Sequence, residues 1–191
     1  MKRRFFCLIS ALLFCSAQAH ATTIAAFTFD QLCEKAEAVY RAQFVRCRSA
    51  WDEAHRTIYT TTTLRVLDPV KGGAQEITLR LPGGTVNDST LTIPDFPVFQ
   101  GDDEMVIFLT GRDGAGYPWP VGMGQGIYPV FRDAAGRPKV ALRPGLNPSP
   151  LAKPAPGGAA PETIPLDDFL NLVRARVGGT APARPGAAGS Q

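Results

Sequence analysis

A chain of 191 residues, 45% of them hydrophobic, is long enough for one ordinary domain with a real core. Of its 20 basic residues, Lys2, Arg3 and Arg4 crowd the first four positions, so the rest of the chain carries 17 basic against 17 acidic residues. A neutral body excludes the electrostatic footprint of a typical nucleic-acid binder or of a polybasic membrane anchor.

The first 21 residues have the pattern of a secretory signal peptide. Lys2–Arg4 form a positive start, Phe5–Cys15 an apolar stretch, and Ala17-Gln18-Ala19 and Ala19-His20-Ala21 two overlapping small-x-small cleavage sites. The apolar stretch is short for a bilayer span, and an uncleaved anchor is the alternative. Phe14 is too bulky to precede a lipid-modified cysteine at Cys15. A periplasmic or secreted protein, without a transmembrane segment after cleavage, is the expectation.

Thr28–Glu37 predicts a short helix. Thr28 can cap it, and Phe29, Leu32, Cys33 and Ala36 fall on one face. Ala38–Cys47 follows as strand one and Ser49–Arg56 as a polar turn. Thr57–Leu67 is almost wholly β-branched or aromatic, with Ile58, Thr60, Thr62, Leu64 and Val66 as its core face. Glu76–Leu81 alternates, with Ile77, Leu79 and Leu81 inward. Pro82-Gly83-Gly84 ends it, and Ser89–Ile93 offers a weaker strand.

Met105–Leu109 is five apolar residues in a row between turn residues, so neither face of a strand there is polar. It predicts a central strand covered on both sides, with the Phe29–Ala36 stripe as a candidate cover. The following Asp113-Gly114 predicts a hairpin turn with positive φ. Tyr117–Val121, Ile127–Phe131 and Pro138–Leu142 complete a series of short strands. The spacing argues for an all-β fold with flanking helices, a small OB-like Greek-key β-barrel over residues 22–143.

Residues 144–163, rich in Pro, Gly and Ala, read as a linker. A C-terminal helix over 164–177 places Leu166, Phe169, Leu170, Val173 and Val177 on one stripe, suited to docking on the barrel or on a partner. Residues 178–191 read as a disordered tail.

Two cysteines remain after cleavage, Cys33 and Cys47. In an exported chain such a pair suggests a disulfide, with two buried thiols as the alternative. His20 and His55 are the two histidines, and neither HExxH nor CxxC occurs. Cleavage after Ala19 would expose His20 as an amino-terminal copper ligand, with His55 as a second. Cleavage after Ala21 would remove it. Asp102, Asp103 and Glu104, with Asp95 nearby, could be read as calcium ligands, but consecutive acids point apart and suit a solvated turn. Ser49, Asp52 and His55 share one short turn, a poor setting for a catalytic triad. No catalytic, cofactor-binding or metal residues are assigned, and no cofactor. Trp51, Tyr117 and Trp119 are a candidate recognition patch or barrel caps.

The pattern from Phe29 to Phe131 resembles a family of exported bacterial proteins of unknown function. It comprises A-x-A-V-x-R-A-x-F-V at Ala36–Val45, I-Y-T-T-T-T-L-R-V at Ile58–Val66, L-P-G-G at Leu81–Gly84, P-x-F-x-x-G-D-D-E-M-V-I-F-L at Pro97–Leu109 and G-x-G-Q-G-I-Y-P-V at Gly122–Val130. In layout such proteins are similar to the OB-like barrel of tissue inhibitors of metalloproteinases, and relatives occur near secreted matrixin-type proteases. The resemblance implies a protease partner or inhibitor role. Those inhibitors place an N-terminal cysteine on the protease zinc, and neither cleavage site here yields one. The function expected is an exported non-enzymatic binding module. The alternatives are a hydrolase or copper enzyme using His55, and a structural envelope component attached through its C-terminal helix and tail.

Overall fold

The apolar ribbon lies in the middle strand of an antiparallel sheet. The computed structural model describes residues 27–94, 96, 98–142 and 162–178. The expected signal peptide, His20, Asp95 and most of the expected linker and tail lie outside the described residues.

The chain opens with helix α1 (Phe29–Lys35). Thr28 and Gln31 cap its start reciprocally: the Thr28 hydroxyl accepts from the Gln31 N–H, and the Gln31 side chain accepts from the Thr28 N–H. Ala36 turns to extended backbone, and its carbonyl accepts from Lys71 Nζ at 2.6 Å. Strands β1 (Ala38–Trp51), β2 (Ile58–Lys71) and β3 (Glu76–Pro82) then form a meander. β4 (Gly84–Val86) and β5 (Ser89–Leu91) make a separate small hairpin.

β6 (Glu104–Arg112) returns to pair with β1, giving the spatial order β3–β2–β1–β6 of a Greek key. Its other edge is shared. Glu104–Ile107 pair with β8 (Ile127–Arg132), and Leu109 and Arg112 pair with β7 (Pro118–Pro120). β7 lies beside β3, bringing the ring β1–β2–β3–β7–β6 round to an OB-like barrel. Beyond β8, strands β9 (Pro138–Ala141) and β10 (Thr163–Pro165) extend the sheet, and helix α2 (Leu166–Gly178) follows directly.

Alternation divides β6 between two cores. Met105, Ile107 and Leu109 face the barrel with Tyr40, Leu64, Ile77, Leu79 and Leu81. Val106 and Phe108 face the two helices with Phe29, Leu32, Tyr128 and Phe169. All five residues of the ribbon are at most 2% exposed. The expected stripe of α1 covers the outer face, but α2 covers it too. All five predicted stripe residues of α2 are buried. Arg174 pairs with Asp68 on β2 and Arg176 with Asp30 on α1. The helix is therefore part of this core, not a free attachment arm. The boundary also shifts. Thr163, expected in the linker, begins β10, a strand too short to show any period.

Two hairpin turns share the sequence R-D-x-A-G-x-P, at Arg112–Pro118 and Arg132–Pro138. In each, the aspartate accepts from two backbone N–H groups, Ala115 and Tyr117 on Asp113, Ala135 and Arg137 on Asp133. Each arginine donates to the glycine carbonyl. Positive φ falls on Gly116 (85°) and Gly136 (75°), not on Gly114 as the Asp-Gly pair suggests. Asp113 builds the turn with its side chain and leaves the αL position to the third residue after it.

The expected disulfide is absent. Cys33 is buried on α1 and Cys47 is exposed on β1, both as free thiols. They are close in sequence, but β1 carries Cys47 nine residues past Ala38, a path of about 30 Å at strand rise. A disulfide needs Cα atoms within about 7 Å. Burial pushes the Cys33 thiol up to about 12, with the Asp30 charge adding to it. Iodoacetamide at neutral pH should therefore label Cys47 in the folded protein and Cys33 only after denaturation; mass spectrometry of the two peptides reads this directly, and a Cys33–Cys47 bridge in the native digest would contradict it.

Candidate functional site

β1 changes face partway along. Tyr40, Ala42 and Phe44 point into the barrel. The register then slips: Phe44 opposes Leu64, yet Arg46 opposes Thr63, leaving Val45 as an extra residue. This bulge resets the alternation. Without it Arg46 and Arg48 would take the inward positions. With it they stand on the outer face.

The β1–β2–β3 pairing lays out that face in rows. Gln43, Arg65 and Glu76 form one, Arg46, Thr63 and Thr78 the next, then Arg48, Thr61 and Arg80. Ala50, Tyr59 and Pro82 close the series. The rows enclose an open trough of about 730 Å³ lined by Arg46, Arg48, Ala50, Thr61, Thr63 and Thr78 and by Cys47 between the arginines. Arg65 donates to Gln43 at 2.6 Å, and the Arg80 guanidinium lies 4.1 Å from the centre of the Tyr59 ring. The side chains of Arg46 and Arg48 have neither an ion pair nor a hydrogen bond among the described residues. Glu76 is the acid in the rows, and Asp113 is close enough to feel the Arg80 charge.

A second cleft, about 490 Å³, opens at the barrel end between Glu37, Tyr40, Glu76, Thr110 and Arg112. Its polar groups are partly engaged within the fold. Arg112 donates to the Gly116 carbonyl at 2.6 Å, and the Tyr40 hydroxyl accepts from the Ala74 N–H at 3.4 Å.

The predicted patch divides in two: Trp51 meets His55, while Trp119 and Tyr117 share Asp113. Trp51, the last residue of β1, stacks on His55 with ring centres 6.3 Å apart. Trp119 sits on β7, whose Pro120 opposes Leu109, itself opposite Ala38 at the first residue of β1. Its indole donates to Asp113 at 2.9 Å and its ring meets Phe96 edge-on at 6.0 Å. Tyr117 donates its N–H to the same aspartate. These bonds, the Tyr117 N–H first and the indole next, hold the Asp113 carboxyl below the usual range.

Ser49, Asp52 and His55 do not converge on one another. The Ser49 hydroxyl is 2.8 Å from Thr60 Oγ1 on the inner side. The Asp52 carboxylate accepts from the N–H groups of Arg56 and Thr57, which lowers its pKa. Among the acids read for calcium, Glu104 pairs with Arg41 at 2.5 Å and Asp103 accepts from the Gln100 N–H. Among the described residues no three His, Cys, Asp or Glu side chains group as metal ligands.

Sequence reasoning missed the trough because valine is a good strand residue and nothing local marks Val45 as a bulge. The available signal was the R-C-R triplet opposite a run of threonines. The sequence pattern also ends strand one at Cys47, short of Arg48, whereas β1 runs on to Trp51. No family model, curated protein or solved structure matches this chain.

His55 has φ 51°, the left-handed position at the tip of the β1–β2 hairpin. A side chain there costs about 1–2 kcal/mol relative to glycine. His55→Gly should keep the thermal unfolding midpoint or raise stability by up to about 1 kcal/mol after the entropy of glycine is counted. A marked loss of stability would show that the imidazole holds the fold together.

Proposed function

We propose that the protein is an exported, non-enzymatic binding module that meets its partner on the outer face of β1, β2 and β3. The observation that carries this reading is the Val45 bulge, which turns two arginines whose side chains have no partner among the described residues onto the rim of a threonine-floored trough. Bulges of this kind commonly re-aim side chains at working surfaces. OB-type barrels bind through a sheet face and the neighbouring loops. The N-terminal pattern of the sequence supports export.

Catalysis finds less support. The Ser49 hydroxyl and the Asp52 carboxylate, the groups read as partners of His55, are engaged in hairpin structure, and nucleophilic catalysis needs a base within reach of its nucleophile. Attachment to an envelope assembly through α2 also loses ground, because the apolar stripe of that helix is already buried in the core cluster that includes Val106 and Phe108 of β6.

Full-length protein immobilised and exposed to periplasmic extract and culture medium should capture a partner. Arg46→Glu/Arg48→Glu should release it, and Arg132→Glu, on β8, should retain it. Retention by the double variant would contradict the assignment of this face. A purified matrixin-type protease added in a parallel peptidase assay tests the partner that the family resemblance implies: inhibition lost in the double variant would place a protease on this face.

A further inference from the structure

We infer that the trough takes an acidic polysaccharide, a chain of sugars carrying carboxylates; this rests on the outer face being the binding surface. Charge complementarity comes first. Arg46, Arg48, Arg65 and Arg80 stand on the face against Glu76, with Asp113 near Arg80. Arg46 and Arg48 are two residues apart, about 7 Å along β1, and Arg80 lies two strands away, about 10 Å across. Guanidinium groups bind carboxylates through paired hydrogen bonds, and an extended polyanion can meet several of them in turn.

The floor decides between kinds of polyanion. Thr61, Thr63 and Thr78 lie between the arginines, and each hydroxyl both donates and accepts. That suits the hydroxyls of a sugar chain. A folded protein partner would need a buried apolar anchor at the centre of its interface. Ala50 and Cys47 are the largest apolar side chains lining the trough. A single-stranded nucleic acid would need a free aromatic platform for its bases. The Tyr59 ring of this face lies under Arg80.

Binding is measured with the full chain and fluorescently labelled polygalacturonate, with dextran, poly-glutamate and a single-stranded oligonucleotide in parallel. Polygalacturonate should bind tightest and dextran not at all. Arg46→Gln/Arg48→Gln should weaken polygalacturonate binding by roughly tenfold or more, about 1.4 kcal/mol per factor of ten, with an unchanged unfolding midpoint. Arg132→Gln should bind as the parent does, and added salt should weaken binding. Tighter binding of poly-glutamate or the oligonucleotide would overturn the polysaccharide assignment and leave the face in place. Polygalacturonate binding that the double variant keeps would overturn it as well. If no polyanion binds while Arg46→Glu/Arg48→Glu still releases the captured partner, the ligand class falls and the surface stands; if both fail, the surface falls too.

Discussion

Burial of one strand on both faces organises the protein. β6 supplies Met105, Ile107 and Leu109 to the barrel and Val106 and Phe108 to the helix layer. On the helix side the contact is aromatic. Phe29 meets Phe108 at 6.3 Å and Phe169 at 5.9 Å, and Tyr128 meets Phe108 at 5.7 Å and Phe169 at 4.8 Å. Ring pairs at such distances and tilts contribute beyond the area they bury. The four rings come from α1, β6, β8 and α2, so this one cluster joins the two ends of the described chain to its middle. The Arg176–Asp30 and Arg174–Asp68 pairs lie at the rim, where exposed ion pairs add about 0–1 kcal/mol each. Apolar packing therefore sets the docking of α2, and the ion pairs tune its orientation.

That arrangement frees the other half of the barrel. The helices cover the sheet where β6 and the first part of β1 lie, and the later part of β1 runs out past this cover to Trp51. There the strand would present alternating residues to core and solvent with arginines on the wrong side. The extra residue at Val45 corrects the phase and sets Arg46 and Arg48 outward, on the rim of the trough. The same bulge that completes the barrel wall thus creates the basic trough. A deletion of one residue there would flip every side chain after it.

Much of this was legible in the amino-acid order. The ribbon at Met105–Leu109, the α1 stripe, the inward set on β3 and the α2 stripe all follow from periodicity, because each faces a core that tolerates no polar side chain. Less legible were features set by pairing. β10 exists because β9 offers it an edge, and three residues carry no period. The R-D-x-A-G-x-P turns repeat at a spacing of twenty residues, yet the positive φ sits where a side-chain bond to the aspartate places it, not at the Asp-Gly pair. The Cys33–Cys47 bridge failed for a related reason: sequence distance is short, but an extended strand converts it into a long spatial one. Arg46 and Arg48 stayed hidden because their exposure depends on a bulge that only the partner strand reveals.

The account stands on α2 being a core element that closes the outer face of β6. Phe169 is fully buried among Phe29 and Tyr128. Urea unfolding of Phe169→Ala at neutral pH, with the full chain as reference, measures that closure. The expected result is a single cooperative transition destabilised by about 3–5 kcal/mol, the usual cost of emptying a buried phenyl site. A transition unchanged to within about 0.5 kcal/mol would mean that the helix rests on the sheet without sealing it, and would contradict the two-sided burial from which the rest of the fold is argued.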